Sequence, residues 1–146
     1  MVIRNSKNRI IYVTRSVSLD KTKQDIEWYL SDVKKIIGDD QYQIAGNPNR
    51  PDNEDLFLTY VLDEAAAKNI LLSLSVEDFS EVVQNRKPGY GHEWLYIFGK
   101  TIRLLSRFGQ DEREVSLYIK FNKIEDQYVI VISFHEQKHP MVYAFK

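Results

Sequence analysis

The feature that most constrains this chain is a pair of strand patterns near its C-terminal end. In Glu114–Phe121 apolar and polar residues alternate, which is the period of a strand with one buried face. The run Gln127–His135 is apolar almost throughout, as is typical of a strand in the middle of a sheet. Because only the short connection Asn122–Asp126 separates them, we expect the two strands to pair antiparallel, which returns His135 towards Tyr118. The predicted buried face of the first strand carries Val115, Leu117, Ile119 and Phe121.

Two further strands precede this pair and make the C-terminal part an antiparallel meander. We predict them at Glu93–Phe98 and Thr101–Ser106, with Gly99 at the break between them. A polar turn over Arg107–Arg113 then leads into the strand pair.

Residues 18–83 show helical periodicity instead. From Leu19 to Ile37 apolar residues recur at helical spacing, Ser18 precedes them as an N-cap, and Gly38 follows where a helix would end. Asp63–Leu74 predicts a second helix, and Ser75–Val83 begins with a capping box that predicts a short third one. The apolar face of the first helix carries Ile26, Tyr29, Leu30, Val33, Ile36 and Ile37.

The remaining segments are short. Arg9–Arg15 predicts a strand or an extended arm, Ile44–Asp55 predicts a loop, and Leu56–Leu62 fits a strand or a helix equally well. Pro140 ends the regular structure and leaves Met141–Lys146 as a tail. Helices followed by a strand meander predict an α+β fold, with N-terminal helices packed on one face of a C-terminal antiparallel sheet. The length suits one domain over residues 1–146.

Charge and cysteine content narrow the chemistry. The chain has no cysteine, which excludes thiolate metal sites, cysteine nucleophiles and a disulfide scaffold. Its net charge of −1 argues against a protein that coats nucleic acid over its whole surface. Residues 1–82 hold 10 basic and 14 acidic residues, whereas residues 83–146 hold 10 and 7 together with all three histidines. This asymmetry permits an anion-binding face in the second part, although acidic helices that happen to come first would give the same counts.

No segment directs the chain to a membrane. Its first residues are too polar for a signal peptide, and no apolar run approaches the roughly 20 residues that a membrane helix needs. We therefore expect a cytoplasmic protein with no membrane partner.

The candidate catalytic residues are Tyr118, Lys120 and His135. Tyr118 and Lys120 are two residues apart on a strand and so share a face, to which the predicted pairing adds His135. These groups fit cleavage of an RNA phosphodiester: a base takes the ribose 2′-hydroxyl proton, an acid protonates the leaving 5′-oxygen, and a cation stabilises the phosphorane. That chemistry needs no metal and no cofactor. The alternative is an ordinary exposed sheet face, where tyrosine, lysine and serine are common.

Substrate-binding candidates lie mainly in the loop Arg86–His92. This loop offers the cations Arg86 and Lys87, an aromatic platform in Tyr90, and two glycines, which suit phosphate contact and base stacking. A glycine-proline turn with chance decoration is the alternative. His139 stands four residues after His135, but the preceding strand and Pro140 disfavour a helical metal pair. The complete substrate-binding set that we predict is Arg86, Lys87, Tyr90, Lys100, Lys138 and His139.

The order and spacing of several motifs resemble the motility quorum-sensing regulator (MqsR) toxins, and in particular their longer members. The resemblance covers residues 70–146 and leaves residues 1–69 as an N-terminal part of unassigned role. It rests on Ile70–Phe79, Glu93-Trp94, the Trp94-x-x-x-Phe-Gly-Lys100 motif, Leu117–Lys120, Val129–His135 and Pro140-Met141.

This resemblance implies a RelE-like fold and a metal-independent, sequence-selective mRNA interferase. It also implies a cognate antitoxin, which in this family is a DNA-binding protein. By position, the functional tyrosine of the family falls on Tyr118 and its basic residue after the Ser-Phe pair falls on His135. Glu81 stands where the family has a lysine, and Leu95 stands where it has a glutamine. We expect Arg86, Lys87 or Lys100 to substitute for the missing lysine.

The leading hypothesis is therefore the toxin of a type II toxin–antitoxin pair that cleaves mRNA. A second hypothesis is a non-catalytic RNA- or protein-binding module on the same scaffold, whose acidic N-terminal part serves a protein partner. A structural domain without a nucleic-acid role is the third.

Overall fold

The computed structural model describes residues 2–4, 10–12, 18–46, 51–109 and 111–146, which form an α+β fold. The helices are α1 (Lys23–Gly38), α2 (Asp52–Thr59) and α3 (Glu64–Leu72). The strands are β1 (Val2–Arg4), β2 (Ile10–Tyr12), β3 (Ser18–Leu19), β4 (Tyr42–Ile44), β5 (Phe79–Gln84), β6 (Trp94–Leu105), β7 (Glu112–Ile124) and β8 (Tyr128–Glu136).

A mixed, mostly antiparallel sheet of six strands organises the molecule in the order β3-β5-β6-β7-β8-β4. Every neighbouring pair is antiparallel except β4 and β8, which run parallel. The predicted antiparallel pairing of the last two strands is confirmed, and β8 lies inside the sheet as expected. Strands from both sides of residue 70 contribute to this sheet, while β1 and β2 form a separate antiparallel pair.

The hydrophobic core lies between the helices and one face of the sheet. The six apolar residues that we predicted for the buried face of α1 are all buried, and so are the four predicted for β7. Phe98, Phe121 and Phe134 from three adjacent strands fill the centre of this core. We call the opposite side of the sheet the outer face. Among the described residues, no helix is long and apolar enough to cross a membrane.

The first helix begins later than predicted. Thr22 is its N-cap: the Thr22 hydroxyl accepts a hydrogen bond from the Asp25 amide at 3.1 Å, and the Asp25 carboxylate accepts one from the Thr22 amide at 2.9 Å. This capping box satisfies two backbone donors at once, which is why the helix begins after Thr22. Ser18, our predicted cap, belongs to β3 and pairs with Val83.

The helix predicted at Ser75–Val83 is wrong. Its capping box does form, because the Asp78 carboxylate accepts a hydrogen bond from the Ser75 amide at 2.8 Å. The helical part is only a 3-10 turn over Val76–Asp78, and the chain continues as β5. Cross-strand pairing with β6 and burial of Phe79 and Val82 therefore override the local helix signal.

Three further segments also differ from the prediction. The two strands expected on either side of Gly99 are one continuous strand, β6. The loop expected at Ile44–Asp55 contains the end of β4 and the start of α2, and residues 47–50 lie outside the described residues. The run Leu56–Leu62, which fitted a strand or a helix, is helical up to Thr59, where α2 ends. Tyr60 is extended and forms an isolated bridge with Ser106, in the turn between β6 and β7. The strand or arm expected at Arg9–Arg15 is β2 where it is described.

A β-bulge in β8 decides which side chains reach the outer face. Lys120 pairs with Ser133, but the next residue of β7, Phe121, pairs with Val131, so that Ile132 is an extra residue. Strict alternation from the buried Val131 would direct the side chains of residues 133 and 135 into the core. The extra residue reverses the alternation, which turns Ser133 and His135 to the outer face.

The side chain of Asn53 in α2 holds this bulge from the edge of the sheet. Its amide group donates to the Ala45 carbonyl at 2.7 Å and to the Ile132 carbonyl at 3.0 Å, and its oxygen accepts from the Phe134 amide at 2.8 Å. The partner strand β4 ends at Ile44 beside Val131, so Asn53 takes over its hydrogen bonds at the bulge. Asn53 is 8% exposed, which makes these three bonds costly to lose.

We predict that Asn53→Ala lowers the free energy of unfolding by about 3 kcal/mol, because it leaves buried backbone groups without partners. Urea unfolding followed by circular dichroism measures this change. Asn69→Ala is the matched control, since Asn69 is exposed on α3 and its substitution is expected to change stability by less than about 0.5 kcal/mol. Equal stabilities of the two variants would contradict the role given to Asn53.

Candidate functional site

A pocket of about 490 Å³ opens on the outer face of the sheet. Its floor is formed by adjacent residues of β7 and β8, and its walls come from two segments that flank the sheet edge. Five of the nine predicted site residues line it: Tyr118, Lys120, His135, Lys138 and His139. The volume lies within the range of pockets that hold small molecules or single nucleotides.

Tyr118 and His135 form the centre of the floor. They are directly paired across β7 and β8, and their rings stack with a centroid distance of 5.2 Å and an interplanar angle of 13°. The predicted proximity of these two side chains is therefore confirmed. Lys120 lies one pair further along the same face, with its Nζ 5.9 Å from the centre of the Tyr118 ring.

One backbone contact favours a particular tautomer of the neutral His135 ring. Its Nδ1 lies 2.8 Å from the carbonyl oxygen of Glu136. Because a carbonyl oxygen only accepts, this contact requires the proton of the neutral ring to be on Nδ1. The Nε2 atom then carries the free lone pair, which makes it the nitrogen able to take a proton from a substrate.

Tyr118 is held in its neutral form. Burial, and secondly the negative charge of Glu81, raise the pKa of Tyr118 above the ordinary value of about 10. Glu81 lies on the outer face of the sheet, like Tyr118. It pairs with Ile97 of β6, and Ile97 pairs with Lys120 of β7. At neutral pH Tyr118 can therefore donate a proton or a hydrogen bond, and it does not act as a base.

The C-terminal segment (residues 137–146), of which we predicted Met141–Lys146 only as a tail, forms one wall of the pocket. The Gln137 side chain donates to the Leu117 carbonyl at 2.9 Å, and the Ser80 hydroxyl donates to the Val142 carbonyl at 2.7 Å. Its last residues reach β5, where the Ala144 amide donates to the Phe79 carbonyl. The segment thus crosses the outer face from β8 to β5, and the residues that it contributes to the pocket are Lys138, His139, Pro140 and Met141.

Gly99 allows this crossing. It lies opposite Tyr118 on the outer face of β6. A Cβ atom there would lie 2.7 Å from the Met141 sulfur and 2.9 Å from the Gln137 side-chain nitrogen, and it would also collide with the Tyr143 hydroxyl. Glycine therefore permits this close approach without any shift of the neighbouring side chains, and it is not the strand break that the sequence suggested.

The opposite wall comes from Ala45 and the first residues of α2. Asp52 reaches across the pocket and forms an ion pair with Lys138 at 2.8 Å. The Lys138 side chain is 60% exposed, so this pair is open to solvent and to exchange with another anion.

Four predicted residues do not line the pocket. Arg86, Lys87 and Tyr90 belong to the connection between β5 and β6, where the Lys87 Nζ lies 5.4 Å from the centre of the Tyr90 ring. Lys100 pairs with the buried Leu117 and therefore lies on the helix-bearing face, where it forms an ion pair with Asp78 at 3.5 Å. Lys100 therefore lies on the other face of the sheet from Tyr118, because the strand continues through Gly99 and keeps its alternation.

Sequence reasoning missed several residues that build the site. Asp52, Asn53 and Ser133 line the pocket, and Glu81 acts on it electrostatically. No motif could have indicated Asn53 or Asp52, because each lies about 80 residues from its contacts, which are the β8 bulge for Asn53 and Lys138 for Asp52. Within the described residues, no group of three or more histidine and acidic side chains is placed to hold a metal ion.

Comparison with protein-family models, with curated proteins and with solved structures gives no significant match for this chain.

We predict that Gly99→Ala displaces the C-terminal segment from the outer face. The added methyl group forces the ends of three neighbouring side chains to move, and the expected cost is about 1–3 kcal/mol of stability. Hydrogen exchange of residues 138–145 measures the displacement and should become faster. Gly38→Ala is the control, because a Cβ atom at Gly38 meets nothing within 4 Å. Unchanged exchange in the Gly99 variant would contradict the proposed packing.

We predict that Tyr118 ionises only above pH 10, because burial and Glu81 both disfavour its phenolate. The stability that its raised pKa contributes is fully present below about pH 10 and is lost as the pH rises through the raised value. The difference between the ultraviolet titrations of the wild type and Tyr118→Phe isolates this group. In Glu81→Gln the midpoint should move down towards 10, and a midpoint at or below 10 in the wild type would refute the argument.

Proposed function

We propose that this chain is a metal-independent endoribonuclease that cleaves RNA by attack of a ribose 2′-hydroxyl on the adjacent phosphate. The observation that carries the proposal is the stacked pair of Tyr118 and His135 beside Lys120 in one pocket. A base, a neutral acid and a cation are the three groups that this reaction needs, and here they share one face of two paired strands.

Each group has a role that follows from its protonation. Nε2 of His135 takes the proton of the ribose 2′-hydroxyl while the 2′-oxygen forms a bond to phosphorus. The bond from phosphorus to the 5′-oxygen breaks, and the Tyr118 phenol gives its proton to that leaving oxygen. Lys120 stabilises the extra negative charge of the phosphorane, and Lys138 and His139 hold the neighbouring phosphates. The products are a 2′,3′-cyclic phosphate and a free 5′-hydroxyl, and a proton passes from the imidazolium back to the phenolate through water.

The motifs that resemble the MqsR toxins support a more specific assignment. The Leu117–Lys120 and Val129–His135 motifs lie on paired strands and supply the pocket floor, while Trp94 opens the neighbouring strand. We therefore propose a RelE-like toxin of a type II toxin–antitoxin pair, with an antitoxin protein as partner and the cytoplasm as its location.

The decisive experiment incubates purified protein with a fluorescent single-stranded RNA in the presence of a chelator. We expect cleavage to cyclic-phosphate ends, with a loss of about 100-fold or more in rate for His135→Ala and for Tyr118→Phe. His92→Ala and Tyr128→Phe are matched controls outside the pocket and should retain the wild-type rate.

A substrate with a 2′-deoxyribose at the cleaved position separates binding from chemistry. It should bind as tightly as the RNA and remain intact. Cleavage of this deoxy substrate, or equal rates for the wild type and His135→Ala, would overturn the proposed mechanism.

A second candidate is a module that binds RNA without cleaving it. Two observations favour it: Glu81 replaces the lysine of the resembling family, and Asp52 already pairs with Lys138. Purified protein that binds the RNA and leaves it intact at high concentration would select this reading.

A further inference from the structure

A second pocket lies at the other end of β7, where β6 begins and the β7–β8 turn closes. Its volume is about 360 Å³, and three aromatic side chains from α1 and β6 line it: Tyr29, Trp94 and Tyr96. Two carboxylates, Glu93 and Glu125, complete much of its polar lining. The lining shares no residue with that of the catalytic pocket.

The charge around this pocket is negative. Its lining lysine is Lys123, whose Nζ forms ion pairs with Asp32 of α1 at 3.4 Å and with Asp126 of the turn at 2.5 Å. Two carboxylates, from Asp32 and Asp126, therefore pair with the Lys123 ammonium, and the two of Glu93 and Glu125 line the same pocket. Such a site repels a phosphate and attracts a cation.

Lys123 shows that the site accommodates a cation. Its ammonium group lies 5.3 Å from the centre of the Tyr29 ring, which is a cation–π contact, while it also pairs with carboxylates. Tyr29 stacks on Tyr96 with a centroid distance of 3.6 Å and an interplanar angle of 8°. Trp94 is half-buried in the same lining and offers a further aromatic surface.

The hydroxyl of Tyr29 supplies a further, independent observation. It is buried, and within the described residues it has no hydrogen-bond partner. A buried hydroxyl without a partner costs about 1–3 kcal/mol, so a donor that displaces the neighbouring groups and reaches it recovers free energy. The hydroxyl remains neutral, because burial raises its pKa, and it accepts a hydrogen bond readily.

We propose that this pocket binds the guanidinium group of an arginine side chain presented by a protein partner. A guanidinium is planar, stacks on aromatic rings and carries five donors for carboxylate and hydroxyl oxygens, whereas an ammonium lacks the planar surface. Trp28 lies one helical turn from Asp32 and is 63% exposed, so it offers an apolar contact for the residues beside the arginine. This binding does not depend on the ribonuclease activity.

The two tryptophans of the chain provide a direct probe. In Trp28→Phe, Trp94 is the only remaining tryptophan and reports on the pocket by its fluorescence. We titrate this variant with an amidated peptide of alternating glycine and arginine. A saturable change of Trp94 emission is expected, with weaker binding of the matching lysine peptide and none of the matching glutamate peptide. Raising the salt concentration should weaken the binding.

Charge variants locate the binding. Replacing Glu93 and Glu125 together by glutamine should weaken the arginine peptide about tenfold. Replacing Glu112 and Glu114 by glutamine, at the far end of the β6–β7 pair, should leave it unchanged. Because Glu93 also accepts hydrogen bonds from Asn85 and Asn122, Asp32→Asn removes a charge without disturbing those bonds and should also weaken binding.

Three results would overturn the proposal: no saturable emission change, an equal loss in the two double variants, or a change produced by single-stranded RNA instead of the arginine peptide. His135→Ala separates this proposal from the ribonuclease. That variant loses cleavage under the proposed mechanism and keeps peptide binding, so each idea can fail without the other.

Discussion

The three hydrogen bonds of the Asn53 side chain are the interaction on which the rest of the site depends. They join a helix from the first half of the chain to the bulge in β8, at the point where the partner strand β4 has ended. Without the extra residue at the bulge, His135 would point into a core of phenylalanine side chains. The buried side-chain amide of Asn53 therefore holds the bulge that turns His135 to the outer face. Without that bulge, the regular alternation of β8 would place His135 in the core.

The outer face shows how a sheet becomes a pocket. An open sheet face presents side chains to solvent without excluding water, which is a poor environment for proton transfer. In this chain the missing side chain of Gly99 lets the C-terminal segment pack close to β6, and that segment raises one wall beside Tyr118. The same contact contributes Lys138 and His139, so one glycine affects both the enclosure of the site and its positive charge.

The sequence predicted the elements whose signals are local or periodic. The buried face of α1 and the alternation of β7 were correct, since a single face against one core determines both patterns. The proximity of Tyr118 and His135 was also correct, because a short connection constrains the pairing of the last two strands. The β8 bulge, the face of Lys100 and the packed C-terminal segment were not predictable, since each depends on contacts between distant parts of the chain. The capping box at Ser75 forms as the local sequence predicts, but it does not start a longer helix. After one turn the chain enters β5, because pairing with the distant strand β6 overrides the local signal.

Two pockets with differently charged linings lie at different positions along β7. Tyr118 and Lys123 are five residues apart on β7, which corresponds to about 17 Å. At physiological ionic strength the screening length is about 8 Å, so the carboxylates around Lys123 act weakly at Tyr118 and more strongly at Lys120, which is three residues or about 10 Å from Lys123. The near-zero net charge of the chain is therefore a sum over separate surfaces. It excludes neither an anionic ligand in one pocket nor a cationic ligand in the other.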